Sequence, residues 1–420
     1  MSFIFKINKA LIYLSVILLP LIFFKGTFEN FEFPKSIFVY SVLGFVAFSY
    51  FFLLFEIKDT SKIMLLFAFT FFISFLFSSH YHTSIFGYYT RFYGGALSIF
   101  IFLGVYLFAK KYFSEKNWHF IFVLIGLSGI TPSLYGIFQY FQLFNTEKVT
   151  RITSTIGQPN WLAAFLAMTL PFLMNIFISE SKKALKVFYA LCILVLITGI
   201  WFTFSISGFI SIFFGISYFM LVNLNKIGSQ KIWFIIIFSI FAIIAFLNQG
   251  IFKDRVNDVL IDLSKSVQID RIVYAQTQST ALSGYAASDS GAIRKGMWAG
   301  TLKLIFATPK NFLVGTGPET FAYEFQFYRP TNLNYTSEWN FVINKPHNYY
   351  LEIFANTGLL GLIAYSLIFY KSFTVNNHAS RASLLTLCIS NIFSWTTFST
   401  ALIFWLLYAY AERKPYEIEN

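Results

Sequence analysis

Long runs of apolar residues alternate with short polar connections over most of this chain. A helix needs about 20 apolar residues to cross a bilayer, and runs near that length recur throughout. The first run follows Lys6 and Lys9 and lacks a cleavage site of small residues, so we expect an uncleaved first span. The pattern predicts about twelve membrane spans, near residues 10–24, 35–55, 63–79, 95–109, 118–143, 160–178, 185–203, 206–223, 231–248, 349–370, 382–395 and 396–411.

One long segment interrupts the apolar pattern. From residue 249 to 348 the composition changes to Asp, Ser, Gln, Asn and Gly, although Ile293, Met297, Leu304 and Ile305 keep helical spacing. We therefore predict an all-α polytopic membrane protein with a large, mainly helical loop domain between the ninth and tenth spans. It divides into spans one to nine (1–248), the loop domain (249–348), and spans ten to twelve with a tail (349–420).

Composition and charge favour a membrane protein and set its orientation. The chain is 57% hydrophobic and 12% charged, whereas soluble domains carry roughly 25% charged residues. The net charge of +12 would fit nucleic-acid binding, but the basic residues lie between apolar runs. With the N-terminus in the cytoplasm, the short loops on that side hold most of these residues, as the positive-inside rule demands. We expect both termini in the cytoplasm, the long loop outside and no nucleic-acid partner.

The sequence lacks several motifs of soluble catalysis. It contains no GxxxxGK[ST] phosphate loop, no Asp-x-Asp pair and no HExxH. The predicted cytoplasmic loops are too short to hold a nucleotide-binding domain. We therefore expect no cofactor and no metal, and we look for chemistry on the outer side.

Two polar clusters precede predicted spans on that side. Arg91 lies among aromatic residues and glycines in residues 87–95. It can meet a phosphate bidentately, or anchor the chain at the membrane interface. Arg151, Gln158 and Asn160 lie just before the sixth span. The two amides suit sugar hydroxyls or cap the helix, and we weigh the cap at least equally for Asn160.

Two further clusters lie in the long loop. Arg294 and Trp298 are four residues apart, hence on one helical face, and could bind a phosphate next to a sugar ring or form a surface cation–π pair. His347 follows a proline at the start of the tenth span, with Asn348 and Glu352 close behind. An imidazole titrates near neutral pH and can accept a hydroxyl proton, but this one could also be a cap or an interfacial residue.

In this order the clusters resemble the O-antigen ligase and polymerase family. The resemblance rests on residues 157–160, Arg294-x-x-x-Trp298, residues 315–321, His347-Asn348-x-x-Leu351-Glu352 and residues 356–361. It implies transfer of a glycan from undecaprenyl diphosphate on the outer face of the inner membrane. Together with the clusters above, it gives the candidate catalytic residues His347 and Arg294 and the candidate substrate-binding residues Arg91, Arg151, Gln158, Asn160, Trp298, Glu319, Asn348 and Glu352.

The chain departs from the family at one position. Many members carry Ser-Arg between the seventh and eighth spans, and that arginine is thought to clamp the diphosphate. Here residues 203–208 read Thr-Phe-Ser-Ile-Ser-Gly and hold no cation. Arg91 and Arg151 are the candidate substitutes.

We predict a metal-independent, inverting glycosyltransferase in which His347 is the base and Arg294, with Arg91, neutralises the diphosphate. Its partners would be the lipid-linked glycan donor, membrane lipids, and an acceptor hydroxyl on a glycolipid, a glycan or a protein. We favour a ligase over a polysaccharide polymerase or a protein O-oligosaccharyltransferase. A flippase or transporter is the alternative of another class, and it would form no glycosidic bond.

Overall fold

The structure is a computed structural model that describes residues 2–53, 55–56, 60–145, 149–228, 230–254, 256–257, 290–336 and 338–413. Within these ranges it is built from helices and turns, without strands. Each predicted span overlaps at least one helix. The helices are α1 Ser2–Leu18, α2 Glu32–Leu53, α3 Lys62–Leu76, α4 Tyr81–Phe86, α5 Ala96–Tyr112, α6 Glu115–Ser128, α7 Ile130–Phe141, α8 Pro159–Ser179, α9 Lys183–Phe202, α10 Ile206–Val222, α11 Leu224–Gly228, α12 Lys231–Leu247, α13 Ser290–Phe306, α14 Pro309–Val314, α15 Phe321–Glu324, α16 Tyr349–Phe373, α17 His378–Phe393 and α18 Phe398–Glu412.

Many of these helices have the length and composition of membrane spans. Among the described residues, six are long and apolar enough to cross a bilayer, and four more apolar helices are shorter. The chain is therefore a multi-pass membrane protein. The predicted number of about twelve spans and the orientation in the membrane stay predictions.

Two helices form the centre of the bundle. Along α8 most side chains are buried, and along α18 every residue from Phe398 to Tyr410 is buried. Burial on all sides requires neighbouring helices on all sides. Helices α6, α9, α10 and α17 pack against α8, while α5 and α16 pack against α18.

One end of the bundle gathers the starts of several spans. Glu32, at the start of α2, accepts a hydrogen bond through Oε2 from the backbone N–H of Phe398 at 3.0 Å. Lys35 donates through Nζ to the carbonyl of Thr155, before α8, at 3.1 Å. These contacts place the N-terminal ends of α2, α8 and α18 together, as alternating antiparallel spans require.

Other charged pairs mark the opposite end. Lys110 near the end of α5 pairs with Glu412 at 3.5 Å, and Glu115 at the start of α6 pairs with Arg413 at 2.7 Å. Both pairs are partly solvent-exposed, so they contribute little to stability. They show that α5 and α18 end where α6 begins.

The described part of the loop domain packs onto the beginning of α16. The four apolar residues that keep helical spacing in the sequence are buried. They share a second core with Phe321 of α15, with Phe325 directly after it and with Ala355 of α16. Residues 258–289 of the predicted domain lie outside the described residues. This core holds the end of the loop domain against the membrane helices.

Helix α16 is interrupted rather than continuous. Gly358 has φ +68°, a conformation that L side chains rarely adopt. The carbonyls of Ala355 and Asn356 accept hydrogen bonds from the backbone N–H groups of Thr316 and Gly317, both at 3.0 Å. The turn at residues 315–317 thus inserts beside the break, which gives Gly315 and Gly358 a structural role, because each packs against the backbone of the other's segment.

Candidate active site

His347 lies where the loop domain enters α16, and its neighbours fix it in place. Trp298 of α13 donates through Nε1 to the carbonyl of Pro346 at 3.0 Å. Asn348 caps the first turn of α16 through Oδ1. The imidazole meets the ring of Trp395 edge-on, with centroids 4.7 Å apart. His347 has φ +53°, an uncommon value for a residue with a side chain, so its surroundings must hold this conformation.

Arg91 lies between two indole rings. Its Cζ is 4.6 Å from the ring centroid of Trp395 and 5.1 Å from that of Trp161. The guanidinium is therefore enclosed by the end of the bundle and is not a lipid-facing anchor. Its Nη1 is buried and has no hydrogen-bond partner among the described residues. A buried guanidinium N–H without an acceptor is costly, and an anionic ligand would satisfy it.

The electrostatic surroundings keep the imidazole neutral. Burial lowers the pKa of His347 to about 3, and the positive charges of Arg294 and Arg91 act in the same direction. Ordinary imidazole has a pKa of about 6.5. At neutral pH the side chain is thus an unprotonated acceptor beside two cations. An anion placed against the arginines would counter their effect and raise the pKa of His347.

A buried group of three charges lies beside this site. Lys345 donates through Nζ to both carboxylate oxygens of Glu319, at 2.7 and 2.8 Å, and also to Oε1 of Glu352. All three side chains are almost fully buried. Burial lowers the pKa of Lys345, but the two carboxylates more than offset this and leave that pKa raised. The ion triad Glu319–Lys345–Glu352 ties the segment before His347 to both α16 and the 315–320 turn.

A small cavity adjoins the ion triad. Its volume is about 60 Å³, and Tyr93, Gly94, Glu319, Glu352 and Asn356 are among its lining residues. Two buried acceptors, Oε2 of Glu352 and Oδ1 of Asn356, have no protein partner in the described part of the chain. Such acceptors need donors, and the cavity has room for a few water molecules.

The cluster before α8 is organised differently from our expectation. The N-cap of α8 is Gln158, whose Oε1 accepts from the backbone N–H of Trp161 at 3.1 Å, so the alternative of a cap at Asn160 is wrong. Asn160 instead accepts through Oδ1 from Arg151 at 3.2 Å and from Ser205 at 2.7 Å. A longer polar side chain two residues earlier, that of Gln158, reaches the unpaired N–H group at the start of the helix.

Arg151 lies against the turn between α9 and α10. Its Nε donates to the carbonyl of Thr203 at 2.9 Å. This is the turn that carries no cation of its own. Its neighbour Asn160 precedes Trp161, whose ring contacts Arg91. Arg151 and Arg91 are therefore linked through the start of α8.

The structure thus separates the predicted site residues into three adjoining groups. Arg91, Arg294, Trp298 and Asn348 form one group with His347 where the loop domain enters α16. Glu319 and Glu352 form the neighbouring ion triad, and Arg151, Gln158 and Asn160 form the cluster before α8.

Sequence reasoning assigned no role to Lys345 or Trp395. The lysine stands two residues before His347, and a cation that close to a candidate base was a usable signal. The tryptophan lies in the break between the last two spans, where nothing in the sequence marked it. Its two partners are distant along the chain, and only the folded bundle brings them together.

Comparison with known protein families agrees with these observations. Residues 190–366 match the family model described as O-antigen ligase. The match covers Arg294, Glu319, His347 and the interrupted part of α16, but not the cluster before α8. A search of curated proteins finds no match.

Proposed function

We propose, from the match of residues 190–366 to the O-antigen ligase family, that this chain transfers a glycan from undecaprenyl diphosphate to an acceptor hydroxyl on the outer face of the bacterial inner membrane. The family supports glycan transfer of the ligase or polymerase type. Donor, acceptor and mechanism are our proposal. It rests on one observation: the ring of Trp395 contacts both the imidazole of His347 and the guanidinium of Arg91 where the loop domain meets the bundle.

The proposed step is a single displacement at the anomeric carbon. The acceptor hydroxyl gives its proton to His347 while its oxygen bonds to the anomeric carbon. The bond from that carbon to the diphosphate oxygen breaks, and its electron pair leaves with the diphosphate. Arg91 and Arg294 neutralise the charge that grows on the leaving group. One base without a carboxylate nucleophile gives inversion of configuration.

Donor binding would prepare the base for this step. A pKa of about 3 makes His347 a weak base. A diphosphate against Arg91 and Arg294 opposes the two positive charges that lower this pKa. The pKa of His347 therefore rises on binding, and the imidazole gains proton affinity only when the donor is present.

The arginines would also take the place of a metal. Polyprenyl diphosphate is an activated leaving group, and positive charge held in place is what its departure requires. We propose that Arg151 supplies the cation at the 203–208 turn, where many family members carry an arginine, because its Nε already contacts Thr203. Gln158 and Asn160 would then lie near the glycan.

Members of the family differ in the acceptor, which is lipid A core for a ligase, another lipid-linked repeat for a polymerase, and a serine for a protein glycosyltransferase. We favour the ligase. A mass spectrum of the product identifies the attachment point of the glycan. A product joined to lipid A core supports the ligase, and one joined to a second repeat or to serine identifies the other activities.

A transporter is less well supported. Interrupted spans in transporters expose backbone carbonyls to the substrate. In α16, the carbonyls of Ala355 and Asn356 are already bonded to the 315–317 turn. The interruption therefore positions the loop domain and leaves these carbonyls unavailable for an ion.

Transfer by the purified protein tests the proposal. His347→Ala and Arg294→Ala should each lose at least about a hundredfold in rate, while membrane insertion is unchanged. Lys295→Ala is the matched control, because Lys295 is exposed and adjoins Arg294 on α13. Transfer at the wild-type rate by both test variants would refute the proposed mechanism.

A further inference from the structure

An apolar groove separates α3 from α5 on the lipid-facing side of the bundle. Its volume is about 270 Å³, and its lining is entirely apolar: Phe67, Ala68, Phe71, Phe72, Phe75, Ala96, Ile99, Phe100 and Leu103. Four of the five phenylalanines stand along α3 and Phe100 stands on α5, while Ala68 and Ala96 leave room between the helices. Two neighbouring spans that pack tightly would close such a gap.

The groove runs along the membrane normal from the site end of the bundle. Phe75 is the penultimate residue of α3, and Ala96 is the first residue of α5. From Phe75 inward to Phe67 the distance along α3 is about 12 Å at 1.5 Å per residue. An elongated, branched hydrocarbon fits this shape better than a compact ligand.

The groove adjoins the candidate active site. Phe67, Phe71 and Ile99 line both the groove and the cavity beside the ion triad. The outer end of the groove at Ala96 follows directly on the 87–95 segment, which carries Arg91. A hydrocarbon in the groove would therefore bring its polar end to the level of the arginine.

We infer that the groove between α3 and α5 binds the first isoprene units of the donor's polyprenyl chain. The inference rests on the proposed function for the identity of the lipid. The groove then sets the depth of the donor, so that its diphosphate meets the loop at residues 87–95. Without it, a flexible polyprenyl chain would leave the headgroup free to move along the membrane surface.

Donors with tails of different length test this inference. Ala68→Phe fills the deep end of the groove, which a one-isoprene tail does not reach. Because lipid outside the groove is equally apolar, we expect a modest effect: KM rises about tenfold for a glycan diphosphate with a full-length polyprenyl tail. KM for the one-isoprene donor should not change, which also shows that the variant folds. Ala242→Phe is the control, since Ala242 is an exposed residue of α12.

The inference would be overturned if Ala68→Phe had the same KM as the wild type for the long-tailed donor. It would also be overturned if the KM of Ala68→Phe rose equally for both donors. If the wild type forms no product from either donor, the proposed function fails. Photolabelling then tests separately whether the groove binds a polyprenyl chain. Labelling by a diazirine-bearing polyprenyl phosphate should map to residues 67–75 and 96–103. Competition by unlabelled polyprenyl phosphate but not by phosphatidylglycerol supports the inference, and equal competition by both lipids refutes it.

Discussion

Removal of the Lys345 charge should be the most damaging single change to the loop domain. The side chains of Lys345, Glu319 and Glu352 are only 4%, 5% and 2% exposed. At an effective dielectric constant near 20, a pair 2.7 Å apart gains about 6 kcal/mol before desolvation is subtracted. Lys345→Met leaves two buried carboxylates unpaired. We therefore expect the free energy of unfolding to fall by about 3–5 kcal/mol.

The assay is equilibrium unfolding in mixed micelles of mild detergent and dodecyl sulfate. In the triple variant Lys345→Met/Glu319→Gln/Glu352→Gln the buried charges are gone, so stability should return to within about 1–2 kcal/mol of the wild type. Lys303→Met, at an exposed position of α13, should change it by less than about 0.5 kcal/mol. The electrostatic reasoning is refuted if Lys345→Met loses no more unfolding free energy than this control. It is also refuted if the triple variant is no more stable than Lys345→Met.

Three further predictions concern the residues around the ion triad and the imidazole. Between about pH 5 and 8 the wild-type kcat/KM should show no acid limb from His347, whose pKa is about 3. Arg294→Gln removes a positive charge, so the pKa of His347 and the acid limb move upward; a downward shift would contradict this. Arg91→Lys keeps the charge but not the stacking between two indoles, so the donor KM should rise about tenfold, and an unchanged KM would argue against the clamp. Gly94→Ala introduces a Cβ at φ +83° against a carboxylate of the ion triad and should cost about 1–3 kcal/mol of unfolding free energy. Gly228→Ala, with no atom of the described residues within 4 Å, should leave the unfolding free energy unchanged, and equal stability of the two variants would contradict the packing.

The positions of the helices could be predicted from the sequence because lipid imposes a simple rule. A span must satisfy its own backbone groups and be apolar over its length, and this signal is local. The interruption of α16 is not local. Gly358 hints at it, but the break depends on hydrogen bonds from Thr316 and Gly317, which are about forty residues earlier in the chain.

The residues of the candidate site that carry a chemical function could be predicted from the sequence. The contacts between these residues could not. His347, Arg294 and Arg91 stood out as polar groups beside spans, and the structure brings them together. Glu319 and Glu352 were predicted as substrate ligands, a role that stays a prediction, while the structure shows both bonded to Lys345. Ion pairs between distant segments leave no pattern in a single sequence.

Chemical rescue of the base tests the central claim most directly. His347→Gly suits this purpose, because glycine readily adopts the left-handed backbone conformation found here and leaves a space beside Trp395 for a free imidazole. We expect glycan transfer from the polyprenyl diphosphate donor to be lost in this variant and to return as imidazole is added. Transfer by His347→Gly at the wild-type rate, without imidazole, would show that His347 is not the base.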